Sequence, residues 1–111
     1  MTMTTVYEAA EPTREQVDKL AGPTVIEFGA PWCGFCQAAQ PKLAAAFSEH
    51  PDVRHIKIED GRGRRLGRSY QVKLWPTLIF LDNGAEIARL VRPASTQIIS
   101  EAFAKIDHPT G

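Results

Sequence analysis

Two cysteines lie two residues apart in the sequence Trp32-Cys33-Gly34-Phe35-Cys36, and they are the only cysteines among the 111 residues. The motif follows a nearly continuous apolar run, 24–30, and leads into an alanine-rich stretch with helical spacing. At the start of a helix, free backbone N–H groups and the positive end of the helix dipole stabilise a thiolate on the first sulfur. The second sulfur lies one turn further, within reach of a small disulfide ring. The motif therefore predicts a dithiol that accepts a disulfide from another molecule and releases it.

The rest of the chain predicts alternating strands and helices of the α/β class. Thr13 to Gln16 reads as a capping box ahead of a helix that ends at Gly22-Pro23. Further helices are predicted at 34–49, with an internal Pro41 that should kink it, at 64–70, and after a capping Ser95. Strands are predicted at 6–8, 24–30, 53–58, 77–81 and 85–91, the last two joined by an Asn-Gly turn. The order βαβαβαββα predicts a central mixed sheet flanked by helices on both faces, in a single domain 1–111 whose residues 1–12 are loosely structured.

Composition excludes several classes of function. Acidic and basic residues balance at 13 each, so the whole chain is not an electrostatic reader of nucleic acid or of a membrane surface. No apolar run approaches the roughly 20 residues that a membrane span needs. The N-terminus lacks the features of a secretory signal, and two cysteines do not make a disulfide-stapled secreted fold. We therefore expect a cytoplasmic protein that binds neither nucleic acid nor membrane.

Four pieces of the sequence together carry a family resemblance. They are the motif at 32–36, an acid six residues before its first cysteine (Glu27), Pro41 inside the following helix, and Pro76-Thr77 opening a strand. In this order and spacing they resemble the thioredoxin family over essentially the whole chain. The resemblance implies that Cys33 is the exposed nucleophile, which forms a mixed disulfide with a protein substrate, and that Cys36 is the resolving thiol.

The resemblance also implies the partners of the reaction. Substrates would be protein disulfides, no cofactor would be bound, and electrons would come from a separate reductase such as an NADPH-dependent flavoprotein. We expect a monomer.

Glu27 is an acid inside an otherwise apolar strand. Burial of an unpaired carboxylate is unfavourable and raises its pKa into the range useful for proton transfer. The resemblance implies that Glu27 relays the proton of Cys36, a role commonly held by an aspartate one methylene shorter. The alternative is an acid that turns out to solvent at a sheet edge.

Trp75 and Pro76 precede the strand at 77–81 and are expected to lie beside the cysteines. The resemblance implies a cis Pro76 packed against the two sulfurs, with the backbone of Trp75 free to pair with an extended substrate. The residues alone also allow a trans proline that opens an edge strand. Trp32 and Trp75 are predicted to form an apolar collar for substrate, or alternatively to be half-buried packing.

Three positions depart from the family pattern. Phe35 stands where proline is usual; with Gly34 it is predicted to tune the redox balance, and its N–H adds a donor beside the Cys33 sulfur. Arg92-Pro93 replaces a turn that normally contains glycine and contacts the partner protein. A buried lysine usual near the site has no counterpart, because Lys57 is expected to face outward.

Several functional alternatives remain open from the residues alone. The main prediction is a protein-disulfide reductase, and the runners-up are an isomerase-like shuttle dedicated to one partner and a thioredoxin-fold interaction module with incidental thiols. A structural zinc site needs four ligands, and the three histidines show no ligand spacing to the cysteines. The arginine cluster within 61–69 is predicted to be a solvated loop that docks an acidic partner, with a nucleic-acid patch as the alternative.

Overall fold

The computed structural model describes residues 3–108, and its centre is a four-stranded mixed sheet. The strands in chain order are β1 (Pro23–Gly29), β2 (Arg54–Glu59), β3 (Thr77–Asp82) and β4 (Ala85–Val91). Across the sheet the order is β2-β1-β3-β4, with β1 parallel to β2 and antiparallel to β3. β1 is therefore internal, and every residue after its first is buried, which accounts for its apolar sequence.

Four helices surround the sheet, and the first and the last of them begin at the predicted capping residues. They are α1 (Arg14–Asp18), α2 (Gly34–Phe47), α3 (Arg65–Ser69) and α4 (Thr96–Ala104). The capping box before α1 is confirmed, since Gln16 N donates to Thr13 Oγ1 at 3.1 Å and Thr13 N donates to Gln16 Oε1 at 2.9 Å. Ser95 Oγ accepts from Ile98 N at 3.2 Å and begins α4. The helix α2 runs through Pro41.

The helices cover both faces of the sheet, as the element order predicts. Alternate residues of each strand point to opposite faces, which divides the core into two layers. Helices α2 and α4 cover the layer that contains Val25, Leu43, Leu78, Phe80 and Phe103. Helices α1 and α3 cover the layer that contains Val17, Ile26, Phe28, Leu66 and Ile79. Glu27 lies two residues from Val25 on β1 and so faces α2.

The hairpin between β3 and β4 forms at the predicted Asn-Gly turn. Asn83 and Gly84 have φ of 50° and 83°, the positive values that this turn requires. Asn83 Oδ1 also accepts from Gly22 N at 2.7 Å, which ties the hairpin to the start of β1.

The N-terminal segment differs from its prediction. The strand expected at 6–8 is reduced to one parallel bridge between Tyr7 and Lys57. The reason is local, because Val6 N donates instead to the Thr4 hydroxyl at 3.2 Å, and such a turn competes with strand pairing. The predicted domain 1–111 and its loose segment 1–12 include residues 1–2 and 109–111, which lie outside the described residues. None of the helices within 3–108 is long and apolar enough to cross a bilayer.

Candidate active site

The two cysteines lie at the junction of β1 and α2, both as free thiols. Cys33 is the N-cap residue of α2, and its Sγ accepts from Cys36 N at 3.2 Å. Cys33 is only 8% exposed and Cys36 2%, since Ala30 and Trp75 pack against both. The expectation of an exposed Cys33 therefore holds only relative to Cys36. The backbone N–H of Phe35 was predicted to donate to the Cys33 sulfur. This is wrong, because within 3–108 the N–H that reaches this sulfur belongs to Cys36.

Cys36 lies in a closed environment that disfavours its thiolate. Burial, followed by the hydrogen bond with Cys33, raises the pKa of Cys36 to about 12. Gly29 at the end of β1 makes room for this sulfur, since a Cβ on Gly29 would lie 2.6 Å from Cys36 Sγ. The reduced protein therefore holds Cys36 as a neutral thiol in a cleft that only glycine allows.

The Glu27 carboxylate is fully buried and accepts hydrogen bonds from three side chains. His55 Nε2 lies 2.8 Å from its Oε1, while Gln40 Nε2 and Lys57 Nζ lie 2.8 Å and 3.2 Å from its Oε2. His55 Nδ1 accepts from Thr4 N at 3.0 Å, so Nε2 carries the proton that points at Glu27. The solvent-facing alternative for Glu27 is excluded, and the expectation of an unpaired carboxylate is wrong.

These partners reverse the predicted pKa shift. Burial raises the pKa of Glu27, but the hydrogen bond from His55, the charge of Lys57 and the hydrogen bond from Gln40 outweigh it and lower the pKa overall. Glu27 is therefore a carboxylate at neutral pH. Gln40 Nε2 also lies 2.8 Å from the Cys36 carbonyl oxygen, so one amide joins the acid to the helix that carries the cysteines.

Lys57 differs most clearly from its predicted orientation. The outward-facing side chain expected from the sequence is wrong, because Lys57 is 3% exposed and pairs with Glu27. A signal is present in β2, where His55 and Lys57 alternate with Ile56 and Ile58 and so share the opposite face. That face is buried because α2 covers it, and the parallel register places Lys57 directly beside Glu27.

A cavity of about 480 Å³ reaches this network from the side of the N-terminal segment. Its lining includes Tyr7, Cys36, Gln40 and Lys57. The ammonium of Lys57 lies 4.8 Å from the centre of the Tyr7 ring, so the segment before α1 forms one wall of the cavity. The cavity has room for water between Cys36 and the polar groups of the network.

Trp75 packs against the cysteines, as expected, and its peptide bond to Pro76 is cis. Trp75 Nε1 donates to Asp60 Oδ2 at 2.9 Å. The ring of Trp32, which is 71% exposed, meets Trp75 edge-on with centroids 5.5 Å apart. The structure thus brings the two predicted collar residues together next to the sulfurs.

Phe35 and Arg92, two of the departures from the family pattern, contact each other. Phe35 is 59% exposed, and the Arg92 guanidinium lies 3.9 Å from its ring centre. Arg92 Nε donates to the Trp75 carbonyl oxygen at 2.8 Å. The backbone of Trp75 was expected to be free for an extended substrate, and for the carbonyl oxygen this expectation is wrong. A Cβ added to Gly34 would meet nothing within 4 Å, so packing does not require glycine there.

The remaining polar clusters lie outside the thiol site. Arg62, Arg64 and Arg68 line a cavity of about 510 Å³ whose wall includes Asp60, the partner of Trp75. Their docking role stays a prediction. Among residues 3–108, no three His, Cys, Asp or Glu side chains are placed to hold a metal ion.

A dithiol at the N-terminus of a helix, beside a cis-proline loop and on a mixed sheet of this strand order, defines a thiol–disulfide oxidoreductase of the thioredoxin fold. The family model described as Thioredoxin matches residues 4–105. The chain belongs to the thioredoxin family.

Individual relatives agree with this assignment. The solved structure of thioredoxin 2 from Pseudomonas aeruginosa PAO1, in its reduced form, is 60% identical, covers 93% of this chain and 95% of that chain, and superposes with a TM-score of 0.83. Thioredoxin from Chlamydia trachomatis is 37% identical over 71 residues, 64% of this chain and 70% of that protein. Thioredoxin H5 from rice is 28% identical over 98% of this chain and 80% of its own length. The protein is thus a disulfide reductase that acts on protein disulfides.

Proposed function

We propose that this reductase works through Cys33 as the attacking thiol and Cys36 as the resolving thiol. The observation that carries the assignment is the bond from Cys36 N to Cys33 Sγ at the N-cap of α2. A backbone N–H and the helix dipole both stabilise negative charge on Cys33, whereas burial disfavours it on Cys36.

The reaction then consists of two exchanges. The Cys33 thiolate attacks one sulfur of the substrate disulfide, forming a mixed disulfide and releasing the other substrate sulfur as a thiolate. Cys36 loses its proton and attacks the Cys33 sulfur, which releases the second substrate thiol. The substrate disulfide is reduced by two electrons, and Cys33 and Cys36 are oxidised to a disulfide.

Glu27 supports the second exchange as the acceptor for the Cys36 proton. Gln40 connects Glu27 with the helical turn of Cys36. The 480 Å³ cavity is lined by Cys36 and by Gln40 and Lys57, two partners of Glu27, and provides space for water between the thiol and these partners. The hydrogen bond from His55 Nε2 and the ion pair with Lys57 hold the carboxylate in its acceptor state, and the ammonium of Lys57 compensates the negative charge that burial would otherwise disfavour.

Trp32, Trp75 and Pro76 form the surface that meets the substrate, and Phe35 with Gly34 sets the redox balance between the two cysteines. The support for the substrate surface is the packing of Trp75 against the cysteines, its edge-on contact with Trp32 and its cis bond to Pro76. The support for the redox role is the position of Gly34 and Phe35 between the two cysteines. The Cys33–Cys36 disulfide formed in turnover would be reduced by an external, NADPH-dependent flavoprotein, so this chain would bind no cofactor. We place the protein in the cytoplasm, because two cysteines do not make a disulfide-stapled secreted fold, and we expect it to act as a monomer.

The assignment of the two sulfurs can be tested by alkylation and trapping. In the reduced protein at pH 6–7, iodoacetamide should label Cys33 first, as read by peptide mass spectrometry. Cys36→Ser should accumulate mixed disulfides with a substrate protein, whereas the matched variant Cys33→Ser should accumulate none. Preferential labelling of Cys36, or trapping by Cys33→Ser, would reverse the roles.

A further inference from the structure

Arg92 is held against the active site from an unusual backbone conformation. Its φ of 49° lies in the left-handed region, which favours glycine over residues with a Cβ. Its N–H donates to the Pro76 carbonyl at 3.0 Å, and its Nε donates to the Trp75 carbonyl at 2.8 Å. Backbone and side chain are both fastened to residues 75–76, so the guanidinium has a defined position beside the cysteines.

The guanidinium keeps most of its hydrogen-bonding capacity for a partner. Of its five N–H donors, the one on Nε is used by Trp75, and one face of the group stacks on Phe35. Within the described chain, the two terminal nitrogens of Arg92 have no hydrogen bond and no carboxylate at ion-pair distance. An oriented cation with open donors therefore faces the surface over which a substrate must pass.

A small cavity beside Arg92 supplies the rest of a binding subsite. It has a volume of about 170 Å³, and its lining includes the apolar Phe35, Pro76 and Pro93 together with Arg92 and Lys42. Lys42 also makes no ion pair with any residue of the 3–108 range. An apolar floor with two cations at its rim suits a side chain that combines methylene groups with a carboxylate.

We propose that Arg92 and Lys42 form a subsite that binds a glutamate side chain next to the attacked cysteine of a protein disulfide. This inference rests on the proposed function, because it requires the substrate sulfur to be at Cys33. The Trp75 N–H has no partner among residues 3–108, so an extended substrate can pair there while it passes Arg92. Arg92 stacks on Phe35, which lies two residues after Cys33 and also lines the cavity. Extended chain rises by about 3.3 Å per residue, so we place the glutamate one or two positions from the substrate cysteine.

The test uses two synthetic peptides, each with one internal disulfide, that differ only in Glu or Gln beside the first cysteine. The rate constant kcat/KM for each is measured with dithiothreitol as the electron source. The wild-type protein should favour the Glu peptide by about threefold to tenfold at low salt, and less at 0.5 M NaCl, as expected of partly exposed ion pairs. Arg92→Gln should bring the ratio to about one, and Lys42→Gln should lower it partway.

Two further variants complete the design. Arg92→Lys keeps the charge and should retain a preference above one. Lys105→Gln removes one exposed positive charge just after α4, near the end of α2 remote from the cysteines, and should leave the wild-type ratio unchanged.

The ratio isolates the subsite, because any effect of Arg92 on the Cys33 thiolate changes both peptides equally. Equal rates for the two peptides in the wild type, or a preference that survives Arg92→Gln, would overturn the proposal. An unchanged ratio in Lys42→Gln would remove Lys42 from the subsite. Failure to reduce either peptide contradicts the proposed function instead, so the two failures are distinguishable.

Discussion

Replacing the Glu27 carboxylate by an amide should destabilise the protein strongly. All three partners of Glu27 donate hydrogen bonds to it: His55 Nε2, Gln40 Nε2 and Lys57 Nζ. A glutamine has one acceptor oxygen, so its NH₂ group must face at least one of these donors. The ammonium of Lys57, 3% exposed, also loses its counter-ion. If Glu27 were buried without partners, Glu27→Gln would stabilise the protein instead, because it would remove an unpaired buried charge.

The size of the effect follows from the hydrogen bond that the amide cannot accept and from the charge that it lacks. One lost charge-assisted hydrogen bond at roughly 1.5 kcal/mol and a similar cost for the uncompensated Lys57 ammonium give about 3 kcal/mol for Glu27→Gln, the lower end of the cost of breaking a buried ion pair. With a guanidinium chloride slope of about 3 kcal/mol/M for a small domain, the unfolding midpoint should fall by about 1 M at pH 7. The measurement is equilibrium unfolding of the reduced protein, followed by circular dichroism.

The pH dependence gives an independent check of the same network. The pKa of Glu27 is lower in the folded protein than in the unfolded chain, so its contribution is complete above the unfolded value of about 4.3. The contribution is lost as pH falls through the folded value. As the pH falls from 7 to below the folded pKa of Glu27, the free energy of unfolding should therefore decrease less for Glu27→Gln than for the wild type.

Matched variants separate the network from a general effect of charge. Glu15→Gln removes an exposed acid that pairs with Lys19 and should change stability by less than about 0.5 kcal/mol. Lys57→Met combined with Glu27→Gln should be less destabilising than the sum of the two single changes, because the uncompensated charge is gone. A Glu27→Gln protein as stable as the wild type at pH 7 would refute the assignment of Glu27 as a paired, buried carboxylate.

Two further predictions concern the surroundings of the sulfurs. Gly29→Ala should destabilise the reduced protein by about 2 kcal/mol, because the added Cβ overpacks against Cys36 Sγ. The control Gly34→Ala adds a Cβ that meets nothing and should be neutral or stabilising by up to about 1 kcal/mol. Equal unfolding midpoints for the two variants in guanidinium chloride would contradict this. Burial raises the pKa of Cys36 to about 12 in the folded protein, whereas a cysteine in the unfolded chain has a pKa of about 8.5. The reduced protein should therefore lose stability as the pH rises from about 8.5 toward 12, and Cys36→Ser should flatten that decline. Parallel curves of stability against pH for the two proteins would refute this.

The local elements of the fold could be predicted because their signals lie in short stretches of sequence. The capping box at Thr13, the Asn83-Gly84 turn and the apolar β1 each depend on neighbours within a few residues. The motif at 32–36 likewise identifies the dithiol and its place at a strand-to-helix junction. The prediction of a strand at 6–8 was wrong because a local turn competes with it, in which the Val6 N–H donates to the Thr4 hydroxyl and not to a neighbouring strand.

The environments of the buried acid and of the substrate surface depend instead on packing between distant elements. The alternation in β2 places Lys57 on the face opposite Ile56 and Ile58. Whether that face meets solvent or core depends on α2 covering it, which the alternation does not determine. The same holds for Arg92, which reaches Trp75 across 17 residues of chain and stacks on Phe35 from the far end of β4. The groups that carry the redox chemistry are evident from the sequence, because that chemistry belongs to two cysteines at a helix start. Their charges and contacts arise only on folding, because electrostatic partners are set by distance in space and not by separation along the chain.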